Sequence, residues 1–179
     1  MVRKKVYKKQ HILAAASDLL EKKSFSAITA RNVAEHMGIS TQPIYLEFKN
    51  MEDLKLTLLQ TIYKSLETDY FSTIQSDDFL VNFALNYIEF AKTKRNLFIV
   101  LFVEHHSYGQ QINQLTLELF TKNLKGDERY TAISPENLNK LFIKVWIIAT
   151  GLASLSASGI LNLKKEEIIA VFKSNLIES

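Results

Sequence analysis

A chain of 179 residues that is 47% apolar and 11% aromatic can bury a core without staples and is too apolar to be disordered. It has no Cys, only 5 Gly and 2 Pro, which excludes a disulfide framework, thiolate metal sites and a glycine-rich phosphate loop, and argues against an all-β fold. The net charge of +3 is unevenly placed: residues 1–55 hold 10 Lys/Arg against 6 Asp/Glu, and the remainder 12 against 13.

The positive charge is densest at Arg3, Lys4, Lys5, Lys8 and Lys9. Such a run suits a polyanionic partner at one end of the molecule, and equally a solvated basic tail. No apolar run of a signal peptide follows it, so the expected compartment is the cytoplasm. Tyr7 to Lys23 reads as a helix, with Ile12, Ala15, Ala16, Leu19 and Leu20 on one face. Thr29 is placed to cap a short helix from Ala30 to Met37, which Gly38 ends in a left-handed conformation. Ser40 is expected to cap a third helix, Thr41 to Phe48, whose first turn tolerates Pro43. Asn50 caps a fourth helix, to about Tyr70. Ser76 is expected to cap a run to about Thr93. Leu97 to Val103 is apolar throughout and is taken as helix because no partner strand is visible. Gln110 to Lys125 is amphipathic, residues 126–133 form a loop, and Ser134-Pro135-Glu136 starts a long helix to about Ser158. Gly159 ends it, and a last helix reaches Ile177.

The segment Thr29 to Phe48 has helix-turn-helix spacing. Small Ala34 stands where two helices approach, Gly38 at the turn, and Val33, Met37, Ile39 and Ile44 fill the apolar positions. The second helix then directs its first turn outward, with Ser40, Thr41 and Gln42 as hydrogen-bonding groups; a Gln can pair with the N6 and N7 edge of adenine. By spacing alone a purely structural helical hairpin is as good a reading. The basic first third and the polar turn favour DNA.

These residues resemble the DNA-binding domain of the TetR-type (tetracycline repressor-like) regulators over residues 8–55. The match runs in register through Ile12, Ala15, Ala16, Leu19, Phe25, Thr29, Val33, Ala34, Met37, Gly38, Ile39, Ser40, Tyr45, Phe48 and Leu54. The resemblance implies an all-α fold of about nine helices. Residues 1–50 would be a three-helix, helix-turn-helix DNA-binding domain, and residues 51–179 a helical effector-binding and dimerisation domain. It implies a ligand-responsive transcriptional regulator that binds double-stranded DNA as a homodimer, with no cofactor, no metal and no membrane. Base contacts fall to Ser40, Thr41, Gln42 and Pro43, and phosphate contacts to Thr29, Arg31, Tyr45, Lys49 and Lys55. Three departures stand out: Glu47 where the family often has a phosphate-binding His, Met51 for a usual Lys, and Gln42-Pro43 for a common Gly-Thr or Gly-Ser. The alternative they support is a helical interaction module that has lost DNA binding.

Residues 56–133 carry aromatic residues on helical faces, a stripe that is core or effector box. Phe83, Tyr87, Phe102 and Phe120, with His105 and His106 as polar groups, are the candidate pocket for a small apolar or aromatic effector. Adjacent His105 and His106 lack the i, i+4 spacing of a metal pair. Val145 to Leu161 has no charge, but its four hydroxyl residues and two glycines favour a helix buried on most sides over a membrane span. Leu152, Leu155, Ile168, Ile169 and Phe172 are the candidates for a dimer interface in a four-helix bundle. No nucleophile–base pairing or cofactor loop is visible, so the chain does not read as an enzyme.

Overall fold

The computed structural model describes residues 7–125 and 127–177, all-α among those residues. The basic run Arg3, Lys4 and Lys5, and Gly126, lie outside the described residues. The first four helices are α1 (Lys9–Lys22), α2 (Ala30–Met37), α3 (Gln42–Glu47) and α4 (Met51–Leu66). They are followed by α5 (Phe79–Thr93), α6 (Arg95–Phe102), α7 (Gly109–Leu124), α8 (Pro135–Ala157) and α9 (Lys165–Ile177).

Most helix ends follow from local chemistry. Thr29 accepts from the Asn32 N–H at 3.1 Å, and Asn50 from the Asp53 N–H at 2.8 Å. Gly38 has φ +66°, and its N–H and that of Ile39 return to the last carbonyls of α2. Two starts differ from the sequence reading. Ser40 does not cap α3; the cap position is Thr41, whose side chain makes no capping bond. Asp78, not Ser76, caps α5, accepting from the Leu80 and Val81 N–H groups at 3.0 and 3.1 Å. The Ser76 N–H is instead bound by the buried Asn82, which also holds the Gln75 N–H and the Thr73 carbonyl. The fourth helix also ends early. It passes at Glu67 into a π-helical turn, Glu67–Phe71.

One continuous apolar core runs from Ile12 on α1 to Phe172 on α9. Helices α1 to α3 form a head around Leu20, Val33, Ile44 and Phe48, and α1 also meets α4 and α6. In the body α5 is central, with α8 as its principal neighbour. Phe83, Tyr87 and Phe90 of α5 pack with Phe98 of α6 and Phe120 of α7 in edge and stacked ring pairs. The Tyr87 hydroxyl accepts from Trp146 Nε1 at 3.2 Å and from the Thr150 hydroxyl at 3.3 Å, and burial pushes its pKa up to about 12.

Candidate nucleic-acid interface

Two apolar anchors one turn apart fix the attitude of α3. Ile44 and Phe48 are both buried, so α3 lies with that edge on the head. The opposite surface is free: Ser40, Thr41 and Gln42 are exposed, Pro43 is half-buried, and Tyr45 is 57% exposed. Tyr45 is therefore not a core ring packed on α1. Leu46 is 77% exposed, a large apolar side chain that no packing argument explains. It lies four residues after Gln42 and so shares its face. The sequence reading passed over Leu46; its signal was an apolar residue between Tyr45 and Glu47 that is out of step with Ile44 and Phe48.

The candidate phosphate groups divide. Thr29 and Arg31 at the start of α2 and Lys49 just after α3 are exposed. Lys55 is not with them: it is half-buried, and its ammonium stands 5.9 Å from the Tyr108 ring centre, turned toward the α6–α7 connection. Lys9, near the start of α1, lies over the Phe48 ring at 4.8 Å.

The departures at 47 and 51 have structural causes. The Glu47 carboxylate accepts from the Lys9 N–H at 3.1 Å, and His11 Nδ1 accepts from the Lys8 N–H at 3.1 Å. An acid at the positive end of α1 satisfies donors that the helix leaves open. Met51 is half-buried against the apolar core. Neither side chain is available as a misplaced phosphate contact.

The head is joined to the body by a small aromatic knot. Phe25 meets the rings of His106 and Tyr108 at 4.8 and 4.9 Å. The Tyr108 hydroxyl donates to Glu52 at 2.8 Å, and burial, with this bond, pushes the phenol up to about 12. His106 Nδ1 accepts from the Tyr108 N–H at 3.2 Å and Nε2 faces the Leu101 carbonyl at 3.0 Å, which the Nε2–H tautomer satisfies. His106 thus pins the α6–α7 connection and does not face the aromatic cluster; His105 is exposed beside it.

The expected effector box is filled. Phe83 and Phe120 stand edge to face at 5.1 Å, Tyr87 and Phe102 at 5.4 Å, and Phe102 and Trp146 at 6.2 Å. Among the described residues, Phe83, Tyr87 and Phe120 are fully buried by one another and their neighbours, and they do not line the clefts that open beside α1, α4, α7 or the α6–α7 connection. His105 and His106 line a separate outer cleft with Phe25, Lys55 and Tyr108.

The candidate interface residues also sort by burial. Leu152, Ile168 and Phe172 are buried within the chain and Ile169 is half-buried; only Leu155 is exposed. Helix α8 is long and apolar enough to cross a membrane by length and composition, with mean hydropathy 1.4 over its most apolar window. Within the single chain 28% of that window is buried, so burial on most sides would need a partner. Its outer stripe is Ile143, Ile147, Gly151 and Leu155, at steps of four, with Val171 exposed on α9.

Comparison with known proteins gives this geometry a family. Residues 12–57 match the model of "Bacterial regulatory proteins, tetR family". Over this segment the chain is similar to the tetR regulators. The match spans the whole helix-turn-helix, most of α1 and the first half of α4. The tetR-like architecture extends to the rest of the chain in solved structures. The fatty acid degradation regulator FadR from Bacillus halodurans is 17% identical and has a TM-score of 0.67, covering 97% of each chain. NalD from Pseudomonas aeruginosa, the secondary repressor of the MexAB-OprM multidrug efflux pump, is 17% identical with a TM-score of 0.59, covering 94% of this chain and 93% of NalD. FadR from Bacillus subtilis, solved with stearoyl-CoA, is 15% identical with a TM-score of 0.59 over 96% of this chain and all of that one. At such identities the likeness is one of fold. No curated protein matches the chain by sequence. Together these comparisons show a tetR-like segment at residues 12–57 and an all-α fold shared with solved regulators along nearly the whole chain.

Proposed function

We propose that the chain is a ligand-responsive repressor that binds a palindromic operator as a homodimer. Residues 1–50 are the reading head and residues 51–179 the effector-binding and dimerising body. The observation that carries the reading is the outward surface of α3, with Gln42, Tyr45 and Leu46 exposed while Ile44 and Phe48 anchor its other side. Gln42 offers a bidentate amide to adenine and Leu46 an apolar contact to a thymine methyl. Ser40, Thr41 and Pro43 complete the base-facing set. Thr29, Arg31, Tyr45 and Lys49 hold phosphates and set register rather than sequence.

So few readers per subunit need a second copy, with the two α3 helices about one DNA turn (~34–36 Å) apart. The outer stripe of α8 with Val171 is the proposed isologous face, in place of Leu152, Ile168 and Phe172. The competing reading, an interaction module without DNA binding, drew on Glu47 and Met51. Their roles as a helix cap and a core contact remove that support.

Base reading is tested at Gln42. Replacing it with Ala reduces discrimination at one A·T pair per half-site by about 1–3 kcal/mol, measured by competition between the operator and a duplex altered there. Non-specific affinity stays unchanged. Equal discrimination by both proteins would remove Gln42 from the readers.

A further inference from the structure

Among the described residues the aromatic cluster at the middle of the body is filled by its own rings. A different cleft, of about 380 Å³, lies between α1 and α4. That is within the usual range for small-molecule sites. Its lining runs along α1 from Gln10 to Glu21 and along α4 from Leu58 into the π-helical turn at Asp69, roughly 16 Å at 1.5 Å per residue. The floor is apolar, built by Leu13, Leu58, Ile62, Leu66 and Leu97.

Charge is confined to Glu21, Asp69 and Lys94. Lys94 is already turned to Glu21, at 3.7 Å. Asp69 meets no cation among the described residues; its Oδ1 receives the Thr68 hydroxyl at 2.9 Å. The next residue, Tyr70, also lines the cleft, and its hydroxyl is fixed on Thr93 Oγ1 at 2.8 Å. Both residues belong to the π-helical turn, a distortion of the kind that often marks functional positions. An anchored aromatic ring beside an unpaired carboxylate, above an apolar floor, is the chemistry that recognises an ammonium group on an apolar body.

We propose that this cleft binds an amphipathic organic ammonium, its apolar body along the floor and its charged head at Asp69 and Tyr70. The occupant touches the head through α1 and the body through α4 and through Lys94 and Leu97, where α5 passes into α6. Binding therefore favours one placement of the head on the body. This second step rests on the regulator reading; the binding itself does not.

The test uses n-octylammonium, octanoate and 1-octanol, each titrated calorimetrically below its micellar range into the purified full chain. Saturable binding of octylammonium is expected, weakened by added salt, with octanoate at least about tenfold weaker. Asp69→Asn, an exposed change, reduces octylammonium affinity about fivefold, the upper end for a partly solvated ion pair. Ser65→Trp, which fills the cleft from the rim, abolishes binding while circular dichroism shows an intact fold. No saturable binding, equal binding of octanoate, or octylammonium affinity unchanged in both variants would overturn the site. A parallel DNA titration separates the two claims. Octylammonium is expected to shift DNA affinity of the wild type and not of Ser65→Trp. DNA binding that the amine leaves unchanged overturns the regulatory step alone. Absence of DNA binding with intact amine binding overturns the regulator reading and leaves the site standing.

Discussion

Ile147→Glu is expected to convert the protein from dimer to monomer at micromolar concentration, with the fold intact. Ile147 is 68% exposed in the single chain, so the substitution removes nothing from the intramolecular core. In a two-fold interface it acts twice, since the same residue comes from both copies. Each copy loses an apolar anchor and gains a desolvated carboxylate facing another of like charge. With at least about 2 kcal/mol per copy for a central anchor, dimerisation weakens by about 10³-fold or more. Light scattering reads the mass, and thermal unfolding checks the fold. Operator affinity falls with it, because a monomer presents one α3 helix in place of two. A variant that remains dimeric at the same concentration would place the interface elsewhere than on the stripe Ile143, Ile147, Gly151 and Leu155.

Phe83→Ala is expected to cost about 3–5 kcal/mol, the largest loss from any single truncation considered. Phe83 is 1% exposed and touches the rings of Phe71, Tyr87 and Phe120 at 5.0, 6.3 and 5.1 Å. Its removal leaves a cavity whose walls are held by other rings and by the Tyr87 hydroxyl bonds, so little collapse follows. In a chain of this size the melting temperature falls by roughly 6–20 °C. Urea unfolding gives the free energy. A loss below about 1 kcal/mol would mean that the ring lines an open pocket, and the effector box of the sequence reading would return.

That reversal shows what patterning carries. The aromatic stripe at Phe83, Tyr87, Phe102 and Phe120 was legible as apolar, but burial against neighbours and burial against a ligand demand the same residues. Only ring-to-ring distances separate them. The same ambiguity governed α8 and α9. Leu152, Ile168 and Phe172 read as well for an interface as for a core, and the answer lay in which side α5 occupies. The outer stripe at 143, 147, 151 and 155 was legible as spacing and went unused. Local signals fared better: Thr29, Gly38, Asn50 and Ser134 each act within a few residues, and each helix end stands where they put it. The role of Glu47 was not legible from spacing because its partner, the Lys9 N–H, is 38 positions away. Asp78 caps in place of Ser76 because the buried Asn82 holds the backbone N–H groups of Gln75 and Ser76.

The most direct test of the account is a fluorescence titration of the full chain with a duplex from its own gene's upstream region, at 50 and 200 mM salt. Arg31 and Lys49 from each subunit give four cationic phosphate contacts, a log–log slope of about −3.6, and about a hundredfold loss of affinity between the two conditions. Tight binding at low salt that weakens by this factor is the predicted result. No binding at 50 mM salt would contradict it.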